Sequence, residues 1–282
     1  MKLAVNFSQA LVSLLEEDPA LPVDYIKVPT IPFPGCWSQF ETGEKYRRIL
    51  PHPAQPGVLA LGHLQPEMRF NRKIVAEIID RTNPPYISTH LEARVEFFPE
   101  FRDFQHEINP VVEEALFKHF LSAVNQVKAE IGLPLVLENF PYYSFWVHYK
   151  LCADPGFITR ICTEGDCGFL LDIAHARCSA WFFQTDLLSY LSALPLNRTK
   201  EIHLAGVRTR AEGVIDTHTK LVEDDYVVLN HVLARTDPEI VTIEYGGMPD
   251  QIMNLQGEYE PVFRNDPREL MEMIYRVKQV CS

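Results

Sequence analysis

Short runs of β-branched and aliphatic residues recur along the whole chain, separated by stretches with helical spacing. The runs occupy residues 3–7, 25–29, 58–64, 86–92, 135–140, 168–174, 201–207 and 240–245. Several are apolar almost without a break, as strands buried on both faces are. Between them, apolar positions at three- and four-residue intervals predict helices over 9–17, 69–81, 110–131, 185–194, 219–234 and 267–280. The proline-rich link between the second and third runs carries a further helix near 37–49, and its first part, 29–34, reads as a loop at the barrel rim. Eight strands alternating with helices over roughly 250 residues predict an α/β fold, a single (β/α)8 TIM barrel covering residues 1–282. A doubly wound open sheet is the competing arrangement, but it usually has fewer strands and often a glycine-rich phosphate turn. Neither G-x-G-x-x-G nor G-x-x-x-x-G-K followed by Ser or Thr occurs. No repeat, low-complexity tract or linker divides the chain. Residues 247–282 leave room for a loop and a last helix only.

A TIM barrel carries its active site at the C-terminal ends of its strands. Those ends are unusually rich in acids and imidazoles. The third expected strand ends at His63, the fourth holds His90 and Glu92, and the fifth ends at Glu138-Asn139. The sixth gives Asp172 and His175, the seventh His203, the loop after it Asp216 and His218, and the eighth Glu244. One histidine at a strand end is more often a hydrogen-bonded rim residue than a ligand, and one buried acid is more often paired with Arg or Lys. Nine such residues converging on one rim are different, because a ring of facing buried carboxylates is costly without cations. His63, His90, Glu138, Asp172, His175, His203, Asp216, His218 and Glu244 are therefore the candidate metal ligands. Glu138, Asp172, His203 and Glu244 suffice for one catalytic ion. His63 and His90 share Glu138 with a second, and His175, Asp216 and His218 form a third group. Carboxylate oxygen with imidazole nitrogen suits Fe, Mn or Zn, and the rim has no cysteine for a thiolate site.

Composition narrows the picture only slightly. Thirty-eight Asp and Glu against 26 Lys and Arg give a net charge of −12, and the longest basic cluster is Lys45-Tyr46-Arg47-Arg48, which leans away from nucleic acid. No apolar run approaches the roughly 18 residues of a membrane span. The N-terminus lacks the marks of a signal peptide. None of the six cysteines forms a C-x-x-C pair, so reduced thiols and a cytoplasmic location are expected.

The motifs Thr89-His90-Leu91, Leu137-Glu138-Asn139, Gly168 to Asp172, Glu201-Ile202-His203-Leu204-Ala205-Gly206, Asp216-Thr217-His218 and Ile243-Glu244 are similar to those of the DUF692 family. These are the multinuclear non-haem iron-dependent oxidases (MNIO) of the xylose-isomerase-like TIM-barrel superfamily. The resemblance covers strands three to eight, and His-Leu-Ala-Gly followed by Asp-x-His is its most specific part. It implies two or three iron ions in mixed Fe2+/Fe3+ states, with zinc or manganese as alternatives. It also implies an O2-dependent oxidoreductase that modifies a ribosomally synthesised precursor peptide (RiPP biosynthesis), often at cysteine, commonly with a separate protein that recognises the leader peptide. Asn139, Tyr142, Tyr143 and Trp181 are candidates for substrate contact.

Asp172-Ile173-Ala174-His175 also resembles an element of endonuclease IV, a three-zinc phosphodiester hydrolase. Against it stand the acidic charge, Ala205-Gly206 where the nuclease typically has Asn-Asp, and no Arg between Asp216 and His218. Sugar isomerases and epimerases of the superfamily share only a Glu/Asp/His/Glu quartet, which would leave the other ligands unexplained.

Overall fold

A computed structural model describes residues 1–30, 34–246, 251–253, 259–261 and 266–281. Residues 31–33 of the 29–34 segment and 247–250, 254–258, 262–265 and 282 of the 247–282 segment lie outside the described residues. Eight parallel strands form one sheet that curls into a nearly closed barrel. They are β1 (Lys2–Asn6), β2 (Tyr25–Pro29), β3 (Arg48–His52), β4 (Ile87–Leu91), β5 (Leu135–Asn139), β6 (Gly168–Asp172), β7 (Thr199–Leu204) and, after an inserted hairpin, β10 (Ile240–Ile243). The hairpin pairs β8 (Gly206–Arg210) with β9 (Gly213–Thr219). Sheet order is β3-β2-β1-β10-β7-β6-β5-β4, so the last barrel strand closes on the first.

Helices Gln9–Glu17, Pro110–Ile131 and Pro267–Val280 match the periodicity residue for residue. Their starts are written locally: Ser8 caps the first through its hydroxyl, while Asn109 and Asp266 cap the others directly before a proline at the first helical position. Among the described residues, no helix is long and apolar enough to cross a membrane.

The third strand departs from the sequence reading. Residues 58–64 form turns and isolated bridges, while the strand is Arg48–His52, which begins in the last residues of the stretch read as helix (37–49) and runs on into the proline-rich link; the helix itself is Trp37–Gly43. Pro51 lacks an N–H and suits an edge, and among the described residues β3 indeed forms a ladder with β2 only. Side chains bridge its open seam to β4: His52 Nδ1 lies 2.8 Å from Ser88 Oγ, and Thr89 Oγ1 donates to the Leu59 carbonyl at 3.1 Å. The sixth strand also stops earlier than residue 174, because Asp172 caps the helix Ile173–Phe182. Helix Pro155–Glu164 was not expected, and Asp216 and His218 sit in a strand of the hairpin rather than in a loop.

Strand alternation sorts side chains into two populations. Outward residues such as Leu3, Val5, Ile87, Leu137 and Ile202 join the main core beneath the helices. Inward residues Ala4, Tyr25, Leu50, Tyr86, Val136, Leu170 and Ile240 form a separate apolar plug in the lumen. Two residues further along several of these strands stand Lys27, Ser88 and Thr242, and Glu201 on β7, in register with Leu170 and Ile240, reaches Lys27 and Thr242 with its carboxylate; all four are buried. The last inward positions are His52, His90, Glu138, Asp172, His203 and Glu244. The polar residues thus crowd the C-terminal mouth because a fixed two-residue period carries them there.

Candidate metal centre

Glu138 lies at the middle of this mouth and is buried. Its Oε2 is 3.2 Å from His52 Nε2 and 3.6 Å from His90 Nε2. Its Oε1 is 3.5 Å from His203 Nδ1 and 3.3 Å from His175 Nδ1. His203 Nδ1 also faces Asp172 Oδ2 at 3.7 Å and Glu244 Oε1 at 3.4 Å. A third cluster is contiguous with these: His175 Nε2 and His218 Nε2 lie 3.5 and 3.1 Å from Asp216 Oδ2, and His218 Nε2 lies 3.4 Å from Glu244 Oε2.

Local geometry aims each group. Asp172 uses one oxygen to cap its helix, accepting from the His175 N–H at 2.7 Å, and leaves Oδ2 for the centre. His175 presents Nε2 outward because Nδ1 lies 2.8 Å from the Asn139 carbonyl. In the hairpin, a register shift between Gly206 and Val207 gives β9 extra residues, and His218 adopts a left-handed φ of 49°. Gly206 permits this close crossing, since a Cβ there would stand 2.5 Å from the Thr219 carbonyl oxygen.

The electrostatics are those of a cation site. Glu138 Oε2, Asp172 Oδ2 and His203 Nδ1 are buried and have no hydrogen-bond partner, a costly state for charged oxygen. Burial opposes charge on Glu138, yet the facing imidazoles, His90 and His203 foremost, hold its carboxyl well below the usual range. Burial pushes the His52 imidazole well below its ordinary value, keeping a neutral ring with a lone pair. Burial would lower His175 and His218 too, but the Asp172 and Asp216 carboxylates push both up to about 10. Protons on these imidazoles balance the acids, and metal ions would replace them. Among the described residues, three groups have donor atoms close enough to hold an ion: His52, His90 and Glu138; Glu138, Asp172 and His175; Asp172, His203 and Glu244. The donor set therefore fits several metal ions, with Glu138 and Asp172 each shared between two groups.

A family model described as the RiPP precursor modification enzyme MbnB/TglH/ChrH matches residues 37–264, most of the chain and all of this centre. The chain belongs to that family. Within the DUF692 relatives, a UPF0276 protein of Acaryochloris marina is 26% identical over 242 residues, 84% of this chain and 84% of that protein. One from Anaeromyxobacter is 30% identical over 179 residues, covering 62% of this chain but only 60% of the relative's length. Among solved structures, a putative xylose isomerase from Rhodospirillum rubrum matches with TM-score 0.58 at 13% identity, over 100% of this chain and 98% of that one. Endonuclease IV from Thermus thermophilus matches with TM-score 0.50 at 16% identity, over 88% and 94%. At such identities these two show the shared barrel alone.

Of the nine residues the strand ends suggested in this DUF692 protein, eight meet at the mouth and His63 does not. His63 follows the misplaced strand; its ring lies tilted against Phe97 with centroids 4.2 Å apart, and its Nδ1 accepts from the Gln65 N–H. His52 occupies the corresponding place at the end of β3. The signal for it was the apolar run Ile49-Leu50-Pro51 ending in His52, which the two flanking prolines obscured. The four suggested substrate contacts are placed differently from one another. Asn139 is buried with its amide bonded to both the N–H and the carbonyl of Asp172, so it ties β5 to β6. Tyr142 is buried with its hydroxyl against His106, and Tyr143 is buried behind Asp216, whose N–H it accepts while donating to Cys178 Sγ. Trp181 alone of the four is exposed, at 45%.

Proposed function

We propose that this protein is a multinuclear iron-dependent oxidoreductase, one barrel domain that oxidises a ribosomally made peptide at a cysteine with O2 as electron acceptor. The observation that carries this is the set of orphaned buried donors on Glu138, Asp172 and His203, facing one another in a chain of the RiPP-modification family. His52, His90, Glu138, Asp172, His175, His203, Asp216, His218 and Glu244 would hold the ions. Iron there would supply one-electron chemistry and a route for electrons from peptide to O2. The residues themselves fix donor positions and keep a dry floor. Trp181, Phe145 and Trp146, exposed beside the mouth and linked through Tyr143 and Phe182, offer an apolar rim on which a peptide segment can rest. A separate leader-recognition protein would deliver the peptide.

Loading purified protein with Fe2+ in the absence of air, then adding a cysteine-bearing precursor peptide and O2, tests the reading. Bound iron at two or three ions per chain, O2 uptake dependent on peptide, and a peptide mass change are expected. Colourless protein that takes up zinc instead and cleaves abasic-site DNA would overturn it in favour of a hydrolase.

A further inference from the structure

Directly beneath the candidate metal centre lies a second polar layer that the ligand set does not use. Glu201 is fully buried, and every group around it is a donor. Its Oε1 accepts from Lys27 Nζ at 2.8 Å and Thr242 Oγ1 at 2.5 Å; its Oε2 accepts from Lys27 Nζ at 2.9 Å and Tyr86 OH at 3.0 Å. The remaining neighbour of Oε1 is His203 Nε2, at 3.1 Å. An ionised carboxylate only accepts, so Nε2 must carry the ring proton. A ring that ligates a metal has given up one of its two protons, and with the other kept on Nε2 its lone pair is on Nδ1. That is the atom with no hydrogen-bond partner, facing Glu138, Asp172 and Glu244.

Lys27 completes the arrangement. Buried in a lumen already crowded with acids, it neutralises Glu201, so the layer adds no net charge to the centre above. Lys27 Nζ also reaches Ser88 Oγ at 3.5 Å, and Ser88 Oγ in turn lies against His52 Nδ1, leaving His52 Nε2 toward Glu138.

We propose that Glu201, charge-balanced by Lys27, is a positioning residue that fixes the tautomer and orientation of His203 so that Nδ1 is offered to a metal. The inference rests on the metal-centre reading and extends it one layer down. Outer-shell carboxylates of this kind contribute about 10–100-fold to metal affinity. Glu201 arrives on the same strand as His203, two residues earlier, so the backbone of β7 sets both groups at once.

Removing one partner would strand the other's charge in the core, so the decisive variant is the neutral pair Lys27→Met with Glu201→Gln. Zinc alone serves as the probe, in competition with a chromophoric chelator. In the double variant we expect the tightest zinc site to weaken about 10–100-fold while far-UV circular dichroism stays unchanged. Wild-type affinity in a folded double variant would overturn the positioning role. If the variant does not fold, nitrogen-15 NMR of zinc-loaded wild-type protein decides: Nε2–H on His203 is expected, and Nδ1–H would overturn the proposal. A wild-type protein that binds no zinc and no iron would instead sink the metal-centre reading itself.

Discussion

His52 Nε2 stands 3.2 Å from Glu138 Oε2, bringing the end of the third strand into contact with the centre of the barrel mouth. His63, eleven residues later, lies against Phe97 outside that mouth. The pair makes a contrast that other readings do not share. His52→Ala should lower metal content, with affinity falling by more than the about 10–100-fold typical of outer-shell losses. His63→Ala should leave metal content unchanged. Elemental analysis of both variants beside wild type checks this; equal losses, or loss in His63→Ala alone, would return the ligand to the position first suggested by the strand pattern.

Why the sequence misplaced that one ligand has a physical answer. Buried parallel strands announce themselves as unbroken apolar runs, and seven of the eight were found this way. β3 is five residues long, holds a proline, and bonds on one side only, so its run looked like part of a proline-rich link. Residues 58–61 are as apolar and as buried as a strand because they pack under the β3–β4 seam, without forming a ladder. Composition reported burial correctly there and secondary structure wrongly. At Asp172 the strand-end pattern held, but a capping aspartate inside an apolar stretch ended the strand two residues early. The roles of Asn139 and Tyr143 were invisible, since their partners are backbone groups 33 and 73 residues away in sequence.

The protonated imidazoles give a signed dependence on pH. In metal-free protein His175 and His218 are held up at about 10 by neighbouring carboxylates, against an ordinary value of 6.5. Their ion pairs therefore contribute stability that is fully present below about pH 6.5 and is lost as pH rises through about 10. Coordination needs those protons gone. Adding zinc to weakly buffered metal-free protein near pH 7 should release protons, and apparent affinity should increase as pH is raised. Calorimetry in buffers of different ionisation enthalpy measures the proton count; zero release would contradict the protonated cluster.

Gly62 holds the segment after β3 against the end of β4. A Cβ at this position would stand 2.0 Å from the Glu92 carbonyl oxygen and 3.2 Å from Ala93 Cα, both backbone atoms that have no freedom to rotate away. Gly62→Ala should destabilise the fold by about 1–3 kcal/mol, as overpacking does. For a chain of this size, each kcal/mol lowers Tm by roughly 2–4 °C. An unchanged thermal midpoint would show that the seam relaxes more easily than its contacts indicate.

A protein proposed to oxidise cysteine in a peptide must keep its own thiols out of that chemistry. All six cysteines are free, five are buried, and Cys281 is half-buried on the last helix turn. Burial pushes the Cys167 thiol up to about 11 and raises Cys36, Cys152, Cys162 and Cys178 as well. Cys281 is also raised to about 11 by burial. Because the thiolate is the reactive form, little reactive sulfur exists at pH 8 on any of them. Native protein treated with a disulfide reagent such as DTNB should release the chromophore slowly and from a single site, assigned to Cys281 by its loss in Cys281→Ser. All six should titrate after unfolding in guanidinium. Fast reaction of a buried thiol in the native state would reveal an opening of the barrel shell, and fewer than six after unfolding would reveal a disulfide.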